Sequence, residues 1–314
     1  MEKWNAGILG IRAEINHSNC KKLLQTHYSI TPLFHYSIIP IGAKPLGFDM
    51  HQEEAKVLWN RKVGSEYYRI GLTCDGGYSN ARPGQFIMLR FPGRITPFLR
   101  RPFSIHQRIL VDGRPTGIEL LYKVVGEGTK ILSEIQTDDV VDILGPLGDG
   151  FFISNAHKNI YIVAGGIGVA PMVFLASYLE ERGFNPSRCT VFLGGRSTDD
   201  LLCRDDFLRI GMKLHITTDD GSAGDQCFVT HPLETESEKR RPDIVYACGP
   251  LEMLKCVVGI AEKYAVPCQI SIETMMACGI GACLGCAVEK KGASDNYMHA
   301  CMDGPVFDAD MIKI

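Results

Sequence analysis

The chain of 314 residues has no apolar run approaching the roughly 20 residues needed to span a bilayer, so no membrane-spanning helix is expected. It also lacks a secretory pattern: no charged n-region leads into an apolar h-region and a small-residue cleavage site, and nothing points to an oxidising compartment or a disulfide framework. Excess charge of one sign is missing too, since the net charge is −3, which gives no reason to expect nucleic acid or an anionic membrane as partner. The nine histidines form no recognisable metal or nucleophile constellation, so His106 and His299 read as structural. What remains is a soluble, cytoplasmic chain of about two domains by the usual size prior. Its 45% hydrophobic content is enough for ordinary cores, and small molecules or proteins are its expected partners.

Cysteine, by contrast, is plentiful, and four of the twelve are patterned. Cys278, Cys283, Cys286 and Cys301 follow C-x4-C-x2-C-x14-C, the ligand spacing of a plant-type [2Fe–2S] cluster. Three thiolates on one short loop converge on one cluster only if the chain wraps it tightly. The intervening Gly279, Gly281, Ala282 and Gly285 permit that by letting backbone amides approach the sulfides. Structural zinc is the alternative, although its usual signature is two paired knuckles and here the fourth cysteine stands alone.

Residues 1–50 carry no clear period, and Pro32, Pro40 and Pro45 interrupt any element that starts there. Met50 directly precedes a well-patterned region, so one expectation is that translation begins at Met50 and that the preceding segment is a start-site artefact or a disordered extension. Over residues 51–155, six short β-type runs (AKVLWNRKV, YYRIGLT, QFIMLRF, RPFSIHQRIL, GIELLYKVV, DVVDILG) are separated by Pro-Gly or Asp-Gly turns at 83–84, 92–93 and 112–113. They predict a small β barrel, with one helix over Thr129 to Ile135 between the fifth and sixth strands. Over 156–265 strands alternate with helices, which predicts a doubly wound parallel sheet. Residues 266–314 form the cysteine module.

A glycine run, Gly165-Gly166-Ile167-Gly168, separates the first strand of that second region from a helix expected to open at Pro171. Glycines admit a diphosphate close to the backbone, and the helix N-terminus offers unpaired amides, although a tight turn with no ligand would use the same residues. A Rossmann dehydrogenase would place an acidic residue at the end of the next strand, whereas this one ends Leu193-Gly194-Gly195-Arg196, which disfavours that class. Arg196 suits a 2′-phosphate or is simply a solvated surface residue, so NAD and NADP both stay open.

Arg101-Pro102-Phe103-Ser104, then Leu121-Tyr122-Lys123 and Gly126-Glu127-Gly128-Thr129, then Gly145-Pro146-Leu147-Gly148, the Gly165 to Pro171 turn and Cys248-Gly249-Pro250 follow one another in an order that resembles the ferredoxin reductase superfamily. The terminal stretch from Glu273 through Cys278, Cys283 and Cys286 to Cys301 and Phe307 resembles, within it, the iron-sulfur electron-transfer subunit of NAD-dependent (type B) dihydroorotate dehydrogenase, and the likeness covers residues 52 to 314.

The resemblance implies a ferredoxin-reductase-like FAD barrel, an NAD domain and a small [2Fe–2S] module. Arg101 would meet the FAD pyrophosphate, Phe103 and Ser104 (beside Pro102) would place the flavin edge, and Leu121, Tyr122, Lys123, Gly128 and Thr129 would complete the cradle. Gly165, Gly166, Gly168 and Pro171 would hold the NAD diphosphate, Thr218, Asp220 and Ser222 could reach ribose or amide groups, and Cys248, Gly249 and Pro250 would line the nicotinamide. Met253 and Leu254 fit helix core better than cofactor contact, and Cys248 could equally be a buried small hydrophobe.

The implied function is electron transfer in pyrimidine biosynthesis, from dihydroorotate oxidised at the FMN of a separate catalytic subunit to NAD⁺, in a heterotetramer of two of each chain. Related architectures serve hydrogenases, sulfur reductases and ferredoxin:NADP oxidoreductase complexes. A zinc-stabilised interaction module without flavin is the reading from another class.

Overall fold

The computed structural model describes residues 50–74, 76–292 and 295–314; the expectation about Met50 as a start turns on a preceding segment that lies outside them. Six antiparallel strands, β1 (His51–Lys62), β2 (Tyr67–Thr73), β3 (Phe86–Arg90), β4 (Arg101–Val111), β5 (Arg114–Lys123) and β6 (Val140–Leu147), close into a barrel in the order β1-β2-β5-β4-β3-β6. Their alternation is what closure demands: Val57, Ile70, Leu72, Ile87, Leu89, Ile105, Ile118, Leu120 and Ile143 fill the interior and are all but inaccessible. Helix α1 (Glu127–Glu134) spans the gap before β6. It starts two residues earlier than the sequence suggested, because Thr129 is its third residue and caps backwards, its Oγ1 accepting from the amides of Val125 (2.9 Å) and Gly126 (3.1 Å).

The second half is a doubly wound sheet of β7 (Ile160–Gly165), β8 (Cys189–Gly195), β9 (Lys213–Thr218), β10 (Asp225–Gln226), β11 (Ile244–Cys248), β12 (Cys268–Ser271) and, after the short hairpin β13 (Ala287–Glu289) and β14 (Tyr297–His299), β15 (Val306–Asp308). The order is β10-β9-β8-β7-β11-β12-β15, all parallel except the edge strand β15. Helices α2 (Val169–Glu181), α3 (Arg204–Ile210), α4 (Thr230–Lys239) and α5 (Leu251–Lys263) cover its faces.

Helix α2 is apolar almost all round, as a helix caught between two layers must be. It opens at Val169, not at Pro171; Pro171 sits in its first turn, where a missing N–H leaves no helix hydrogen bond unmade. Against it the barrel presents His106, wholly buried, with ring Nδ1 2.9 Å from the Ala170 carbonyl. Burial, and then the neighbouring Arg69, lower the His106 pKa to about 4, so the ring is neutral. The rest of this joint is polar: Arg69 donates to Asp206 and lies 3.2 Å from Cys203 Sγ on the α3 side, and the Tyr67 hydroxyl donates to Asp200 at 2.5 Å.

Candidate functional site

The four patterned cysteines lie between β12 and β15. Gly279 and Gly281, at φ +73° and +77°, fold the Cys278–Cys286 loop back so that its amides face sulfur. Those of Ile280 and Cys283 donate to Cys278 Sγ (3.4 Å each), that of Gly281 to Cys301 Sγ (3.2 Å) and that of Gly285 to Cys283 Sγ (3.5 Å). Cys301, just past β14, brings its sulfur within 3.2 Å of Cys286.

The sulfurs therefore fall into two pairs, Cys278 with Cys283 and Cys286 with Cys301. One tetrahedral ion would hold all four sulfurs about 3.8 Å apart. Among the described residues, however, the set of ligand atoms lying mutually within 4.8 Å is His106, Cys203 and Asp206, not these cysteines. Two sulfurs per metal is the donor arrangement of a two-iron rhomb. The electrostatics suit it as well: the Gly285 amide, then hydrogen bonds from Cys278, pull the Cys283 thiol down to about 7, whereas burial and then Cys286 push Cys301 up, so Cys301 carries charge only against a cation.

The site has an inside and an outside. Cys286 and Cys301, 3% and 2% exposed, belong to one core with Phe86, Met88 and Leu147 of the barrel, while Cys283 is exposed among the uncovered Met275, Ile280 and Leu284. A Cβ on Gly279 would lie 2.5 Å from Met88 Cγ and 3.3 Å from Leu147, so the loop rests directly on β3 and β6. Met88 is in turn the cross-strand partner of Pro102.

The structure brings Arg101, Gly128 and Thr129 together. A Cβ on Gly128 would stand 3.5 Å from Arg101 Nε, and the guanidinium, bonded only to the Leu99 and Arg100 carbonyls (2.8 and 3.3 Å), makes no ion pair among the described residues. A free guanidinium at a helix N-terminus is a place for phosphate oxygens. Phe103 meets Tyr122 edge-on at 6.0 Å, and Ser104 pairs with Phe86 across the strands. Leu121 and Tyr122 are buried, the Tyr122 hydroxyl donating to Asn60 at 3.0 Å. Lys123 stands apart, at the rim of the nucleotide cavity above the Tyr67 ring (4.9 Å) and paired with Glu66 (3.4 Å).

That cavity, about 900 Å³, opens along the carboxyl ends of β7, β8, β9 and β11, where doubly wound sheets bind ligands. Gly165, Gly166 and Gly168 line it with Gly249 and Pro250, but Pro171 is buried inside α2. Cys248 lies behind the wall, its thiol pushed up to about 12 by burial and then by Glu273, which does line the cavity. Thr218, Asp220 and Ser222 are turned to one another and their own loop: Thr218 Oγ1 donates to the Ala223 carbonyl at 2.8 Å and Ser222 Oγ to Asp220 at 2.6 Å. Thr217 and Asp219 reach the cavity in their place, with Met253 and Leu254 of α5. Glu273 and Asp219 escaped sequence reasoning, since strand parity at the end of β9 and the path after β12 decide which residues face inward.

Barrel, nucleotide sheet and four-cysteine loop on one chain define an iron-sulfur oxidoreductase of the ferredoxin-reductase fold. Residues 273–313 match the family model for the iron-sulfur cluster binding domain of dihydroorotate dehydrogenase B, which removes the zinc alternative, and residues 162–259 match that for the oxidoreductase NAD-binding domain. The electron transfer subunit of dihydroorotate dehydrogenase B (NAD(+)) from Caldanaerobacter subterraneus subsp. tengcongensis is 40% identical over 82% of this chain and 97% of its own length. That of Listeria monocytogenes is 38% identical over 84% and 100%. A chain of the NADH-dependent reduced ferredoxin-NADP oxidoreductase shares the architecture (TM-score 0.71, 30% identity, 82% of this chain and 89% of that one). The chain belongs to the family of electron transfer subunits of dihydroorotate dehydrogenase B, as an oxidoreductase subunit that works with a catalytic partner. No helix among the described residues is long and apolar enough to cross a membrane.

Proposed function

We propose that this chain receives electrons from dihydroorotate, oxidised at the FMN of a separate catalytic subunit, and delivers them through a [2Fe–2S] cluster and FAD to NAD⁺, in a cytoplasmic heterotetramer of two of each chain serving pyrimidine biosynthesis. The observation that carries the reading is the seat of the cysteine loop. Gly279 touches Met88, Met88 pairs with Pro102, and so the cluster ligands lie one strand from Arg101 to Ser104 while Cys283 faces outward. When bound, FAD exchanges electron pairs with nicotinamide and single electrons with an iron-sulfur cluster.

The residues hold and orient. Arg101, Gly128 and Thr129 receive the FAD pyrophosphate, with Pro102, Phe103 and Ser104 along the flavin and Leu121 and Tyr122 supporting that wall from β5. Gly165, Gly166 and Gly168 carry the NAD diphosphate, with Pro171 anchoring the helix behind them, and Lys123 faces the same cavity. Cys248, Gly249 and Pro250 shape the nicotinamide end. Cys278, Cys283, Cys286 and Cys301 hold the cluster. No side chain is assigned proton transfer. The exposed apolar apron of Met275, Ile280 and Leu284 around Cys283 is the surface offered to the catalytic subunit.

Anaerobic mixing with the FMN-containing catalytic subunit from the same source tests the assignment. NADH should form from dihydroorotate and NAD⁺ only when both chains are present. Orotate formation by this chain alone, or failure of the two to couple while NADH still reduces an artificial acceptor, overturns it.

A further inference from the structure

Where the barrel meets α3, four metal-ligating side chains converge that the electron-transfer reading does not use. His106 of β4 and Glu119 of β5 come from the barrel, Cys203 and Asp206 from the start of α3. The ligand atoms of His106, Cys203 and Asp206 lie within 4.8 Å of one another, and Glu119 Oε1 stands 3.6 Å from His106 Nε2. A tetrahedral zinc bound by nitrogen, oxygen and sulfur sets its ligands about 3.3–3.8 Å apart, so the constellation has only to contract by about 1 Å.

The histidine gives the cluster its direction. Its Nδ1 meets the Ala170 carbonyl, which can only accept, so the ring proton sits there and Nε2 carries a lone pair. That nitrogen is wholly buried and has no hydrogen-bond partner among the described residues. What faces it is a carboxylate oxygen, one acceptor against another, at a separation too long for a hydrogen bond. A cation between the two resolves the mismatch, and an imidazole whose other nitrogen donates to a backbone carbonyl is the tautomer that zinc ligands use. Arg69 is the cation now in contact: it donates to Asp206 and lies 3.2 Å from Cys203 Sγ and 3.8 Å from Glu119, but makes no hydrogen bond to His106. Arg209 holds the other Asp206 oxygen from the exposed side at 3.3 Å. The Arg69 side chain is 24% exposed, so its withdrawal opens a path from solvent.

We infer that His106, Glu119, Cys203 and Asp206 form a binding site for a thiophilic divalent cation such as zinc, which enters as Arg69 withdraws. One thiolate, one imidazole and two carboxylates suit Zn²⁺, whereas Mg²⁺ and Ca²⁺ want oxygen alone. Cys203 gives its proton to water as the sulfur–metal bond forms, and no electron moves. With two ligands from the barrel and two from α3, the metal clamps the joint that the Tyr67–Asp200 hydrogen bond already ties.

Zinc titration of the chain loaded with FAD and cluster, followed by calorimetry and by X-ray absorption at the zinc edge, tests this. The wild type should bind one zinc with a Kd of micromolar order or tighter, and should melt about 5–10 °C higher at about 100 times that Kd; magnesium should do neither. The absorption should show one sulfur at about 2.3 Å beside nitrogen and oxygen at about 2.0–2.2 Å, whereas zinc in a cysteine loop that had lost its iron would show sulfur alone. Cys203→Gly, which the left-handed backbone at φ +62° accommodates, and His106→Gln should each weaken binding at least about 100-fold. Arg69→Gln should tighten it about tenfold by removing the competing cation. No zinc bound by the wild type, a shell of sulfur alone, or an affinity unchanged in Cys203→Gly overturns the inference, and none of these results touches the electron-transfer assignment.

Discussion

Replacing Gly168 by alanine tests the packing that creates the dinucleotide loop. A Cβ at this position would stand 2.6 Å from the Cys248 carbonyl carbon and 2.7 Å from Gly249 Cα, and would clash with the Cys248 carbonyl oxygen. All three are backbone atoms at the end of a central strand, with no flexible side chain to swing away. Ordinary carbon–carbon contact is about 3.5–4.0 Å, so the β7–α2 turn and the β11 turn must separate by about 1 Å. Overpacking typically costs about 1–3 kcal/mol, and with backbone on both sides the upper end applies, about 3 kcal/mol. At about 2–4 °C per kcal/mol for a chain of this size, Tm should fall by about 6–12 °C, and KM for NADH should rise because the displaced turns line the cavity. Differential scanning fluorimetry and steady-state oxidation of NADH give both quantities. A Gly168→Ala protein that melts within 1 °C of the wild type, on the order of the assay's resolution, with unchanged KM, would refute the argument that this glycine sets the approach of the two turns.

Other perturbations give equally definite outcomes. Cys286→Ser should lose the iron-sulfur absorption in the visible and also destabilise the barrel junction, since it places a hydroxyl in the core shared with Met88 and Leu147; retention of a wild-type visible spectrum counts against the ligand assignment. His106 is buried and neutral with a pKa lowered to about 4, so the unfolded state binds the extra proton first. Its stabilisation is full above about 6.5 and is lost as pH falls toward 4, by about 3 kcal/mol, a slope that urea titrations should find flattened in His106→Gln. For Asp142, burial pushes the carboxyl up, but hydrogen bonds from Arg100 and Arg90 (Nη1 at 2.8 Å, Nε at 2.6 Å) more than reverse this. Its contribution is therefore present above the ordinary aspartate range and disappears as pH falls through the lower folded value, and Asp142→Asn should remove that acid limb. Tyr67→Phe leaves Asp200 with one fewer donor at the joint between barrel and sheet and should cost about 1.5–3 kcal/mol in chemical denaturation; a change below about 0.5 kcal/mol would mean that the 2.5 Å hydrogen bond does not tie the two together.

Much of this was legible in the sequence because it is encoded locally. YYRIGLT occupies β2 without a residue's error, since a short β-type run between turns leaves little choice of period. The cysteine spacing marked the iron-sulfur domain for the same reason, since the family match over residues 273–313 encloses all four patterned cysteines. Helices α3 and α4 left no comparable trace: α3 is seven residues with two acids in its first turn, and α4 buries only Leu233 and Ser237, so neither shows an apolar stripe. Side-chain direction at strand ends was less legible still. Thr218 and Asp220 have the right chemistry for a ribose, but the pleat turns Thr217 and Asp219 to the cavity, and a shift of one residue reverses every assignment.

The least legible feature is the one that organises the site. Strands β12 and β15 are four and three residues long, and Ile270 pairs with Phe307 across an interval of sequence that holds all four patterned cysteines. No local pattern announces such a pairing. Its consequence is that the cysteine loop is not suspended from the nucleotide sheet by a linker but pinned at both ends into its edge. The Asp149 amide bonded to the Gly304 carbonyl and Gly84 packed on Val306 then bind that edge to the barrel. Glu273 at the nucleotide cavity and Cys278 at the start of the cysteine loop are five residues apart on this pinned segment. A sheet ladder tolerates far less displacement than a loop, so the distance between the four cysteines, the Arg101–Ser104 strand and the dinucleotide cavity is fixed by backbone hydrogen bonds together with the core packed beneath the loop. The inner cysteines share the core that enforces this distance. The outer ones are left to the surface, where a partner can reach them without disturbing it.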